Sequence, residues 1–160
     1  MSVVSNTSPL ILLAKIGRLA LLLDLYHEII VPDSVLAEVH AKPSKEVHDI
    51  EVLMLSPGVR MVGAGSSVLP RLVATLGAGE RAAIAVALAV DADLVLLDDL
   101  RGRQAARELG LTTTGTIGVL IEARSRGFVP SLGRELRLLV DAGMWIDETF
   151  YHRLLEEHGE

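Results

Sequence analysis

Short runs of aliphatic and β-branched residues alternate along this chain with longer segments whose apolar positions recur every three or four residues. Residues 2–5, 28–31, 59–62, 94–97 and 111–114 have the first pattern and predict five strands. The second pattern predicts helices from residue 7 to Gly17, over 19–26, and from Pro32-Asp33-Ser34 through Glu38. Further helices are expected over 45–55, 68–76, from Glu80 through Ala87, over 101–109 and from 115 to 126, and two closing helices over 131–141 and 147–156. Asn6-Thr7-Ser8-Pro9 is a strong helix start, with polar caps ahead of a proline in the first turn. The 80–87 helix is alanine- and valine-rich on nearly every face, so it is expected to be buried. Continuous apolar strands separated by helices predict an α/β domain: a mostly parallel five-stranded sheet, central strand 94–97, with helices on both faces. The 59–62 strand is expected at an edge, and residues 63–67 as a loop. The whole of 1–160 reads as one domain without repeats or linkers.

The run Leu94-Val95-Leu96-Leu97 stops abruptly at Asp98-Asp99. In a parallel sheet the carboxyl ends of the strands open onto the crevice where ligands bind. Two adjacent carboxylates there favour protonation of one, exposure to solvent, or a bound cation. Helix capping by one of the pair is an equally good account of the motif alone.

Composition narrows the chemistry. The 160 residues are 50% hydrophobic but only 3% aromatic, so the core is aliphatic, and single-stranded bases are not expected to be read by a stacking platform. There is no cysteine, which removes disulfides, thiolate metal sites and cysteine nucleophiles and suits a cytoplasmic protein. Leu10–Leu25 carries Lys15, Arg18 and Asp24 and is not a membrane span. The net charge of −6 argues against a large basic surface, yet residues 100–137 hold seven arginines against three acids, a local +4. That segment suits either a phosphate-bearing substrate or an ordinary charged helix surface. The five histidines are spaced as structural or solvated groups, and Trp145 and Phe150 as anchors for the last helix.

Asn6, Asp98, Asp99 and Thr116 all follow strands, and Glu38 and Glu80 lie on helices able to lean over the same edge. Carboxylates with an amide oxygen and hydroxyls are hard ligands suited to Mg²⁺ or Mn²⁺. Such a cluster can polarise a phosphodiester and activate water.

Residues 3–10, the 32–38 helix, Gly79-Glu80-Arg81-Ala82-Ala83-Ile84, and Leu97-Asp98-Asp99 with Arg101 and Arg103 together resemble a PIN domain. The resemblance is closest to a prokaryotic subgroup related to toxin nucleases of VapC type. It runs in consistent order over about the first 125 residues. It implies a three-layer α/β/α fold and Mg²⁺- or Mn²⁺-dependent cleavage of RNA. By position it assigns Asn6, Glu38, Glu80, Asp98 and Asp99 as catalytic, with Asn6, Glu80, Asp98 and Asp99 on the metal. The acid after the fourth strand is by this resemblance Asp98 or Asp99, with Asp98 favoured as the direct ligand and Asp99 as second ligand or water-positioning group. It makes Ser8, Arg101, Arg103 and Thr116 substrate-side groups. It also implies a small antitoxin partner. The leucine-rich N-terminal helices fit either a homodimer face or an ordinary core.

The departure is Asn6, which stands where the family has an aspartate. An amide oxygen can coordinate a hard cation but carries no charge and cannot act as a base. Two functions follow: a ribonuclease of toxin type, or a PIN-fold binding module that has lost hydrolysis. A phosphoacceptor receiver domain is disfavoured, because its acidic pair would follow the first strand rather than the fourth.

Overall fold

The computed structural model describes residues 1–65 and 74–160. Five strands form one sheet: β1 (Val3–Ser5), β2 (Ile29–Pro32), β3 (Val59–Val62), β4 (Leu94–Leu96) and β5 (Thr113–Thr114). Their order is β3-β2-β1-β4-β5 and every pairing is parallel. The expected edge position of β3 holds. The central place belongs to β1, however, and not to the 94–97 run. Local pattern marks a strand buried on both faces, a property that β1 and β4 share, and it says nothing of their order.

Successive strand residues alternate between two cores. Val3, Ile29, Val31, Leu94 and Leu96 pack with α1 (Thr7–Lys15), α2 (Leu21–Tyr26), α7 (Thr116–Ser125), α8 (Leu132–Asp141) and α9 (Glu148–Glu157). Buried residues of α3 (Ser34–Ala41) and α4 (Glu46–Met54) join the same core. Val4, Ile30, Val95 and Leu97 pack instead with α5 (Ala78–Ala89) and α6 (Leu100–Glu108). The period of two along each strand therefore produces three layers, helix, sheet and helix. Ala83–Ala87 of α5 are buried, as the alanine-rich sequence predicts.

Most of the helix expected over 68–76, and part of the 63–67 loop, lie outside the described residues; Ala74–Leu76 form a turn and bend. No helix among the described residues is long and apolar enough to cross a membrane. Trp145 does not anchor the last helix: it lies in the connection between α8 and α9 and is 83% exposed. Phe150 does pack against the core.

Residue 160 secures the closing pair of helices. The Glu160 carboxylate accepts hydrogen bonds from the Leu132 and Gly133 N–H groups (2.7 and 3.1 Å) and the Ser131 hydroxyl (2.8 Å), at the start of α8. Burial pushes its pKa up, but the Leu132 N–H, the Ser131 hydroxyl, the Gly133 N–H and Arg124 outweigh that and hold it below the ordinary glutamate range. A carboxylate depressed in this way stabilises the fold above its unfolded pKa and loses that contribution as pH falls through the folded value. Glu160→Gln is expected to cost about 1 kcal/mol at neutral pH. In thermal melts its deficit relative to the native chain should shrink on acidification.

Candidate active site at the carboxyl edge of the sheet

The site is built from the ends of β1 and β4 and the first turns of α5 and α6. Asn6 extends the ladder one residue past β1: its N–H donates to Leu96 O at 3.1 Å. The residue is 3% exposed and occupies the N-cap position of α1, but its side chain makes no capping bond. The amide is turned inward instead. Its Nδ2 reaches Glu80 Oε1 at 3.5 Å, and its buried Oδ1 has no hydrogen-bond partner.

Glu38 approaches from α3, held by the Thr7 hydroxyl, which donates to its Oε2 at 3.0 Å. Gly79 sits beneath both groups. A Cβ there would lie 2.9 Å from each Glu38 carboxylate oxygen and 3.1 Å from Asn6 Oδ1. The amide oxygen and a carboxylate thus border one small space with no donor between them. Inverting the amide would only move the conflict, setting Oδ1 against Glu80. An unsatisfied buried acceptor costs about 1–3 kcal/mol. A hard cation or a donor held in that space would remove the cost.

Glu80 lies in the first turn of α5 and faces the start of α6, where a Cβ on Gly102 would be 3.3 Å from its Cγ and 3.7 Å from Asp99 Oδ1. Asp99 is the N-cap of α6, its Oδ1 accepting from Gly102 N at 2.8 Å. One aspartate of the pair therefore caps a helix, while its side chain still borders Glu80. The other, Asp98, is bound to α7. Its Oδ1 accepts from the Thr116 N–H at 2.7 Å and its Oδ2 from the Thr116 hydroxyl at 2.8 Å. Asp98 thereby serves the N-terminus of a helix whose own N-cap, Gly115, has no side chain to offer.

Asn6, Glu38, Glu80 and Asp99 thus share one cleft, and Asp98 and Thr116 form a separate strut beside it. Arg103 braces the strand end on the Asp98 side, its Nη1 donating to the carbonyls of Leu97 (3.1 Å) and Asp98 (2.6 Å). Arg101 is exposed, with its Nη2 3.4 Å from the Thr75 hydroxyl. Ser8 is exposed and its hydroxyl makes no hydrogen bond among the described residues, whereas its neighbour Thr7 is buried and holds Glu38. Thr7 and the glycines of Gly77-Ala78-Gly79-Glu80 are the participants that sequence reasoning passed over. The spacing of those two glycines ahead of a carboxylate was the available signal.

Among the described residues, no three histidine, aspartate or glutamate side chains are grouped to hold one ion. The acids flank the Asn6 amide rather than converge on a point. The donor set nevertheless fits Mg²⁺ or Mn²⁺ in kind, being all oxygen, and the orphaned Asn6 Oδ1 marks where a cation would be favoured.

The parallel three-layer α/β/α architecture, with acids along its carboxyl edge, is consistent with a PIN-like fold. The family model described as DUF3368, a PIN domain, matches residues 2–160, and the chain belongs to the PIN domain family. No curated protein matches it. Nucleases are the general rule in this family, and divalent metals their typical cofactors.

Proposed function

We propose that this protein is a Mg²⁺- or Mn²⁺-dependent ribonuclease, of the toxin type related to VapC, acting on RNA and restrained by a small antitoxin. The observation that carries the catalytic reading is the Asn6 amide at the carboxyl edge, its Nδ2 toward Glu80 and its unpartnered Oδ1 on the side of Glu38. In this reading Asn6, Glu80 and Glu38 hold the ion, and Asp99, next to Glu80 across Gly102, supplies a further oxygen. When bound, such an ion supplies Lewis-acid polarisation of the phosphodiester. The chain's own groups do the rest. A carboxylate of Glu80 or Glu38 takes the proton of the attacking water, a task the Asn6 amide cannot perform. Asp98 and Thr116 fix the start of α7 and, through the Asp98 carbonyl, the plane of Arg103. Arg103 and Arg101 offer guanidinium donors to phosphate oxygens. The antitoxin rests on the family resemblance, and a homodimer on the leucine-rich N-terminal helices, which an ordinary core explains as well.

The neutral Asn6 favours one other reading, a PIN-fold module that binds without hydrolysing. Calorimetry with Mn²⁺ and Mg²⁺ on the native chain and on Glu80→Gln, with RNA cleavage in parallel, separates the two. The ribonuclease is expected to bind metal, cleave only with it, and lose both in Glu80→Gln. No binding at millimolar metal together with no cleavage would sink the enzyme and leave the module.

A further inference from the structure

A pocket of about 300 Å³ opens beside Asp98 and Arg103. Ile117 and Ile121 of α7, Met144, and Phe150 and Leu154 of α9 make its apolar walls, and Gly115 and Gly118 complete the lining. Gly118 passes so close to the Thr114 hydroxyl that a Cβ would overlap it, so α7 is seated firmly on β5. We propose that this pocket takes one unpaired nucleobase of a single-stranded RNA, with the phosphate of that nucleotide on Arg103. The inference deepens the ribonuclease reading above and rests on it for the choice of RNA.

Three features select this occupant. The volume is at the lower end for ligand pockets, which suits a single ring system rather than a helix or a long peptide. Its rim carries a pre-oriented cation: Arg103 spends Nη1 on two carbonyls, while Nε and Nη2 make no hydrogen bond among the described residues. A phosphate can use that pair of donors, whereas an apolar protein side chain has no use for them. The facing carboxylate, Asp98, has both oxygens turned to Thr116, which leaves its charge partly satisfied. The third feature is Phe150 of α9, an aromatic ring in the pocket wall. One aromatic cannot make a platform for successive bases, but it suffices to stack on one.

The test uses the four nucleoside 5′-monophosphates as probes, titrated by calorimetry without added metal. Inorganic phosphate, free nucleosides and N-acetylphenylalanine amide serve as comparisons. Ile121→Trp fills the pocket, and Phe150→Leu removes the ring while keeping the apolar packing of α9; circular dichroism reports that each folds, and one folded variant is enough. At least one nucleotide is expected to bind more tightly than phosphate or its own nucleoside. Each folded variant should weaken it about tenfold and leave Mn²⁺ binding unchanged. Absence of nucleotide binding at millimolar concentration, or binding that ignores the substitutions, overturns the proposal. So does binding of the phenylalanine amide in place of nucleotides, which would assign the pocket to a protein side chain. Nucleotide binding without RNA cleavage would remove the ribonuclease and keep the pocket; cleavage without nucleotide binding would do the reverse.

Discussion

Asn6→Asp is expected to raise Mn²⁺ affinity at least about tenfold while lowering the stability of the metal-free protein by about 1–2 kcal/mol. Both effects have one origin. The native amide donates toward Glu80 at 3.5 Å and turns a neutral oxygen to the space shared with Glu38. An aspartate would lose the donor and set a third carboxylate between the other two. Unit charges about 4 Å apart repel by about 1 kcal/mol in water and by about 4 kcal/mol at the effective dielectric of a partly buried site. A cation would convert that repulsion into affinity, so Mn²⁺ should raise the Tm of the variant more than that of the native chain. RNA cleavage should rise with it if the native protein is a weakened nuclease. A variant with native Tm and native metal affinity would show that Asn6, Glu38 and Glu80 do not act as one electrostatic unit.

The second large effect is expected far from the cleft. Arg18, in the connection after α1, donates from Nε and Nη2 to the two oxygens of Glu135 on α8 at 2.9 and 2.7 Å. The Glu135 side chain is completely buried. The hydrogen bond to Glu135 also raises the Arg18 pKa, with a smaller opposing effect of burial, so the cation persists at any accessible pH. Arg18→Met leaves a carboxylate stranded in the core and is expected to cost about 3 kcal/mol, roughly 9 °C in Tm. Removing both charges in Arg18→Met/Glu135→Leu should recover most of that loss, because the penalty belongs to the unpaired charge and not to the absent pair. Urea unfolding of the two single variants and the double variant measures this directly. A double variant as unstable as Arg18→Met would show that the guanidinium contributes packing rather than charge.

The fold was legible in the sequence because burial on both faces leaves an unmistakable trace. Val3-Val4 and Leu94-Val95-Leu96-Leu97 are apolar at every position only because alternate residues enter different cores. Strand order was not legible: β1 and β4 carry the same signal, and pairing across ninety residues leaves no local mark. At the site, residue types were easier to read than directions. Asp98 and Asp99 are adjacent and chemically identical, yet successive residues leave a strand end on different sides, so one meets α7 and the other caps α6. The same limit separates Ser8 from Thr7. A helix turns about 100° per residue, and that single step decides which hydroxyl reaches Glu38 and which faces solvent.

The pairing of Val3 with Leu94 bears on how the molecule assembles. β1 is the middle of the sheet, and one of its two neighbours is not made until about ninety residues after it. On a ribosome β1 can meet β2 early, but its other edge stays open until β4 emerges. Contacts of such long sequence separation slow folding and leave an unpaired edge exposed meanwhile. Asn6 takes its final position through that late pairing, by its hydrogen bond to Leu96. The cleft is therefore among the last features to form, and a truncated nascent chain would lack it altogether.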